Sequence, residues 1–88
     1  MAHAEIYTTA VCAYCVAAKN FLKARGCDYS EVRIDRDPGK LAEMLERSAG
    51  RRSVPQVFIN GAHVGGYDDL VAAERSGRLQ ALIESSSR

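Results

Sequence analysis

The sequence predicts an α/β fold, a mixed four-stranded sheet flanked by helices, and three observations carry that prediction. In the first part of the chain a strand pattern, a helix pattern and a second strand pattern follow one another, the order of a βαβ crossover. Asn60-Gly61 separates two further short apolar runs and marks a tight hairpin. Helical periodicity returns between those two pairs of strands and again after the last of them.

Each element has its own local reason. His3 to Thr8 carries Ile6 and Tyr7 and reads as the first strand. From Ala13 to Arg25, residues Tyr14, Ala18, Phe21, Leu22 and Arg25 recur at helical spacing, and Gly26 supplies the stop. Tyr29 to Ile34 alternates Tyr29, Glu31 and Arg33 with Ser30, Val32 and Ile34, which predicts a second strand with one face more apolar than the other. Asp37-Pro38 has the form of an N-cap followed by proline at the first helical position. Leu41, Met44, Leu45 and Ser48 then share one face of a second helix, which Gly50 ends. Gln56 to Ile59 and Ala62 to Val64 are the hairpin strands and pair antiparallel. After Gly65-Gly66, Asp68 is expected to cap a third helix containing Leu70, Val71 and Ala73. Gly77 interrupts it before a short segment with Leu79, Leu82 and Ile83. A right-handed crossover makes the first two strands parallel, and the hairpin completes the mixed sheet. That arrangement is the thioredoxin-like one, expected over residues 1–84, with 85–88 a polar tail.

Composition narrows the function. A chain of 88 residues, 47% hydrophobic and 26% charged, holds one compact domain of ordinary globular type. Twelve basic and eleven acidic residues leave a net charge of +1, no broad footprint for nucleic acid or an anionic membrane. No apolar run approaches the ~20 residues that span a bilayer. The beginning, MAHAEIY, has no long apolar signal core, so a cytoplasmic location is expected, with a monomer as the default state. Three cysteines are an odd number for a disulfide scaffold, and in a reducing compartment a close pair is more often catalytic or metal-binding than structural.

The close pair is Cys12-Ala13-Tyr14-Cys15. A thiolate is the nucleophile in disulfide exchange, and an ordinary thiol, with a pKa of about 8.5, is only slightly ionised at neutral pH. Between a strand and a helix, Cys12 would face unpaired amide groups whose partial positive charge stabilises a sulfur anion. The two-residue spacer lets Cys15 reach that sulfur from the first helical turn. Cys12 is therefore the expected attacker and Cys15 the resolving thiol, whereas Cys27, after Gly26, reads as a small buried hydrophobe. A zinc site would need two more ligands, and only Cys27, His3 and His63 remain among Cys and His, without a second CxxC or an HxxxH, so no metal site is expected. His3 and His63 read as polar residues near strand ends.

Three motifs in this order, Glu5 to Thr8 before Cys12 to Cys15, Ser53-Val54-Pro55-Gln56-Val57-Phe58-Ile59-Asn60-Gly61, and Val64-Gly65-Gly66-Tyr67-Asp68-Asp69-Leu70, together closely resemble the bacterial glutaredoxins over nearly the whole chain. The resemblance implies a cis-proline at Pro55, which sets the Val54 backbone beside the cysteines, ready to pair with the cysteinyl part of glutathione as one strand pairs with another. It implies that Gly66, Tyr67 and Asp68 receive the γ-glutamyl end. A helix N-terminus attracts a carboxylate and an aspartate beside it binds an ammonium group, so one turn can grip an amino-acid head. Arg51 and Arg52, before Ser53, are cations available to the glycine carboxylate, and Tyr14 either lines the site or shields Cys15. Glutathione is thus the implied co-substrate, and glutathionylated or disulfide-containing proteins are the implied partners.

The chain also departs from the family pattern. Many relatives carry proline where Ala13 stands, lysine for Thr9, a basic or amide residue near Leu41 and threonine for Ser53. With no cation at Thr9 or Leu41, Lys40, Arg51 and Arg52 are the substitutes at hand. Ala13 frees the backbone and restores an N–H, which bears on redox poise and on one alternative, a [2Fe–2S] cluster carrier ligated by Cys12 of two copies and by glutathione. The other alternative is a thioredoxin-like dithiol reductant fed by a reductase.

Overall fold

The computed structural model describes residues 3–84, so the expected polar tail at 85–88 lies outside the described residues. The elements run β1 (His3–Thr8), α1 (Ala13–Ala24), β2 (Asp28–Arg33), α2 (Pro38–Arg47), β3 (Gln56–Ile59), β4 (Ala62–Gly65), α3 (Tyr67–Arg75) and α4 (Arg78–Glu84). The sheet order is β2-β1-β3-β4. β1 runs parallel to β2 and antiparallel to β3, and β3 pairs antiparallel with β4. This is the mixed four-stranded sheet expected, with a fourth helix in place of the short final segment.

Local chemistry explains the boundaries. Asp37 caps α2 by accepting from the Gly39 N–H at 2.9 Å, with Pro38 at the first helical position. Asn60 and Gly61 both hold positive φ, 52° and 86°, the geometry that a two-residue hairpin demands. Asp68 is not the cap of α3. The N-cap is Gly66, whose extended backbone (φ −83°, ψ −170°) starts the helix earlier, and Asp69 accepts from the Gly66 N–H at 2.9 Å. Asp68 is left exposed in the first turn.

The sheet is covered on both sides. Ala4, Ile6, Val57 and Ile59 pack with Ala18 and Leu22 of α1, Leu70 and Ala73 of α3 and Leu79 of α4. Tyr7 and Phe58 face the other way onto Met44 of α2, with Val32, Ile34, Leu41 and Val54 around them. The edge strand β2 serves both layers, Tyr29 on the first and Val32 on the second, so its two faces are not apolar and polar but two thin apolar faces. Burying a side chain such as Leu22 contributes about 1.5–3 kcal/mol, and removing it costs more because a cavity is left.

Over the smaller layer lies a polar cluster. Arg47 donates to both Glu5 carboxylate oxygens, at 3.0 and 3.2 Å, and to the Tyr7 hydroxyl at 2.8 Å, while its guanidinium stands 4.1 Å from the Phe58 ring centroid. Tyr7 in turn donates to Glu43 at 2.9 Å. This cluster fastens α2 to β1 and leaves the opposite layer to carry the thiols.

Candidate active site

β1 ends at Thr8, and the chain reaches α1 through Thr9, Ala10 and Val11. That short loop is fixed from β2. The Ala10 N–H donates to Asp35 at 3.2 Å, and Asp35 is clamped by Arg33 through bonds of 2.8 and 2.7 Å. The Arg33 guanidinium holds the Asp35 carboxyl down to about 2, so the clamp is charged at any physiological pH.

Cys12 is the N-cap of α1. Its sulfur accepts from the Cys15 N–H at 3.2 Å and stands 3.9 Å from the Val54 carbonyl oxygen. One donor of the first helical turn, the Cys15 N–H, thus faces the sulfur. Cys15 lies beneath, 1% exposed. Burial, and next the hydrogen bond with Cys12, push its thiol up to about 12, so it keeps its proton at neutral pH. Cys27 is also buried, with its thiol pushed up by desolvation, and packs in the α1 and α3 layer, as expected of a small hydrophobe. Among the described residues no group of three or more His, Cys, Asp or Glu side chains is placed to hold a metal ion.

Beside the thiols a cleft of about 360 Å³ is lined by Tyr14, Arg51, Ser53, Val54, Pro55, Gly66, Tyr67, Asp68 and Asp69. Tyr14, Ser53, Val54, Pro55, Gly66, Tyr67 and Asp68, all expected around glutathione, are in that lining; of the two arginines offered for the glycine carboxylate, Arg51 is there and Arg52 is not. The Val54-Pro55 bond is cis. Tyr14 is 63% exposed and forms one wall, its ring 6.1 Å from that of Tyr67, which meets Phe21 edge-on at 6.1 Å. Tyr14 therefore lines the cleft rather than being folded away over Cys15.

Two contributors escaped the sequence reading. Gln56, fully buried, donates to the Ser53 carbonyl at 3.0 Å and to its hydroxyl at 3.1 Å, and its own carbonyl takes the 2.8 Å bond with His63 Nε2. His63 stacks on Phe58 and so steadies the cis-proline loop from behind. An amide opening the otherwise apolar run Gln56 to Ile59 directly after Val54-Pro55 was the available signal, since such a group must find partners once the strand is buried. Asp69 is the second, and the acidic residue three places after Gly66 was its signal.

The chain matches the glutaredoxin family model over residues 4–64. A glutaredoxin of Pseudomonas aeruginosa is 50% identical over 80 residues, covering 91% of this chain and 94% of its own. This chain belongs to the glutaredoxin family. Glutaredoxin 3 of Escherichia coli is 45% identical over 84 residues, covering 96% of this chain and all of its own length. Among solved structures, a buckwheat glutaredoxin–glutathione complex superposes with a TM-score of 0.82 at 28% identity, over 93% of this chain and 76% of that one. Glutaredoxin from Brucella melitensis is 44% identical, with a TM-score of 0.78 over 92% of this chain and 87% of its own. Glutaredoxins are thiol–disulfide oxidoreductases, and the thioredoxin-like glutaredoxin fold is the one seen here.

Proposed function

We propose that the protein removes glutathione from glutathionylated proteins, and reduces protein disulfides, at Cys12. The observation that carries this reading is the pairing of one accessible sulfur at a helix N-cap with a cleft that ends at a second helix N-terminus. Supporting it, the buckwheat relative was solved with glutathione.

In the first half-reaction the Cys12 thiolate attacks the glutathione sulfur of the mixed disulfide. A bond forms between Cys12 and glutathione, the bond from glutathione to the protein breaks, and the protein thiolate leaves and takes a proton. The Val54 N–H and C=O pair with the cysteinyl part, Ser53 and Pro55 shape that wall, and Tyr14 and Tyr67 cover the apolar middle. The γ-glutamyl carboxylate meets the first turn of α3 at Gly66 and Tyr67, and Asp68, exposed and not used as a cap, takes the ammonium. In the second half-reaction a glutathione thiolate attacks the glutathione sulfur on Cys12, giving oxidised glutathione and free Cys12. With a protein disulfide, Cys15 resolves the intermediate instead and two glutathiones reduce the resulting Cys12–Cys15 bond. Because the Cys15 thiol is held protonated by burial, it gives up its proton only as it attacks.

Residues 1–84 act as one unit, as a monomer, in the cytoplasm, where a glutathione pool keeps the cycle supplied. Among the described residues no helix is long and apolar enough to cross a membrane. The cluster-carrier alternative finds no favouring observation beyond Ala13 itself. A reductase-fed dithiol role leaves the cleft at Gly66 and Asp68 without a purpose.

The test is a Cys15→Ser variant given a glutathionylated peptide and free glutathione. Sustained turnover is expected, since Cys12 alone completes the cycle. No turnover, with dithiol reduction intact in the unaltered protein, would move the reductase-fed reading ahead.

A further inference from the structure

The sequence offers Arg51 and Arg52 as cations for the glycine carboxylate, but the structure commits Arg51 elsewhere. Arg51 Nη2 donates to Asp69 Oδ2 at 3.0 Å, and the same oxygen accepts the Gly66 N–H at 2.9 Å. The Arg51 backbone is itself fixed, since the buried Ser48 hydroxyl accepts from its N–H at 3.2 Å and donates to its carbonyl at 3.0 Å. The guanidinium passes behind Gly65, where a Cβ would overlap Asp69 Oδ2 and stand 2.8 Å from Arg51 Nη1. At Gly66 a Cβ would lie 3.5 Å from the Pro55 carbonyl oxygen and 3.9 Å from Arg51 Nη2, so the two walls of the cleft meet at this point.

We propose that Arg51 is a positioning residue, a strut that sets the distance between the Val54-Pro55 wall and the first turn of α3 through Asp69, and not a ligand of glutathione. The inference rests on the reading of the cleft as a glutathione site. One carboxylate oxygen joins both walls: it satisfies an orphan donor of the helix start and holds the cation that leads back to the loop carrying Ser53, Val54 and Pro55. A bound tripeptide touches both walls at once, so a change in their spacing weakens its grip while the sulfur of Cys12, held by its own helix, keeps its reactivity.

A double-mutant cycle tests this, with steady-state kinetics on a glutathionylated peptide for Arg51→Gln, Asp69→Asn, the double variant and Arg51→Lys. Each of the Gln and Asn variants is expected to raise KM about three- to tenfold with kcat within about twofold, and the double variant to be no worse than the more impaired single one. Arg51→Lys, which retains a charge but not the planar fork, falls between Arg51→Gln and the unaltered protein. A glutathione-liganding Arg51 would give the opposite pattern: Asp69→Asn would free the guanidinium and leave KM unchanged or lower, and the two effects would not merge. That pattern, or no change in Arg51→Gln, overturns the proposal. Should Arg51→Gln fail to fold, Arg51→Lys against Asp69→Asn decides between the same patterns. Failure of the underlying reading is distinct, because the unaltered protein itself would then show no turnover with this peptide.

Discussion

The two ends of the cleft are held in different ways. The cysteine end rests on buried structure: Cys12 caps α1, Cys15 is sunk beneath it, and the cis-proline loop is tied from behind by the fully buried Gln56 and by His63. The α3 end rests on the Arg51–Asp69 pair, whose side chains are 44% and 45% exposed, and on a glycine pair that makes room for it. Chemistry thus sits on the end that cannot shift without unpacking the core. The proposed grip on the γ-glutamyl group sits on the end held by contacts that water and acid can reach.

The largest expected effect breaks the cysteine end. Cys12→Ser should lose about 10³-fold or more of deglutathionylation rate, with the thermal midpoint little changed, because the reacting atom is lost and no packing is. A rate near that of the unaltered protein would end the account.

Gly65→Ala should follow, with the damage confined to the α3 end. Gly65 holds φ at +121°, and a methyl there overlaps the strut. A KM rise of about tenfold is expected, with about 1–3 kcal/mol of stability lost, while alkylation of Cys12 by iodoacetamide proceeds as before. A change in the alkylation rate would mean that the two ends are not separable.

Gln56→Leu probes the cysteine end by its framework. It removes the buried amide that ties the exposed Ser53 to the half-buried His63, at about 0.5–1.5 kcal/mol for each hydrogen bond lost, read by denaturant unfolding. Stability and KM should worsen together here, in contrast to Arg51→Gln.

The smallest effect is acid sensitivity at the α3 end. The Gly66 N–H, and then Arg51, hold the Asp69 carboxyl below its ordinary value of 3.8. Its folded value is the lower one, so its contribution is present above the ordinary carboxylate range and lost as pH falls through the folded value. The stability gap between the unaltered protein and Asp69→Asn, below about 1 kcal/mol for so exposed a pair, should be full at neutral pH and close below about pH 4. A gap that persists in acid would remove the charge from the explanation.

Much of this was legible in the chain. The α1 and α2 boundaries follow from Gly26 and from Asp37-Pro38, and the hairpin follows from Asn60-Gly61, because each of those residues dictates a backbone conformation on its own. Cys12 and Cys15 take opposite exposures simply because a helix starts between them. The start of α3 was misplaced because Asp68 and Asp69 are equivalent as letters, and only the backbone at Gly66 decides which one turns back to it. Arg51 and Arg52 pose the same problem: adjacent exposed residues in a loop, of which only the first lines the cleft, with no periodicity to separate them. The role of Gln56 depends on His63 arriving beside it from the neighbouring strand, which sequence spacing does not reveal.

The central claim is that the cleft grips glutathione, so that Cys12 attacks the glutathione sulfur and expels the protein thiol. The most direct measurement is intact-mass analysis of the Cys15→Ser variant after one equivalent of glutathionylated peptide, with no free glutathione. The account expects one glutathione joined to Cys12 and the peptide released with a free thiol. A protein carrying the peptide, with glutathione released, would contradict it.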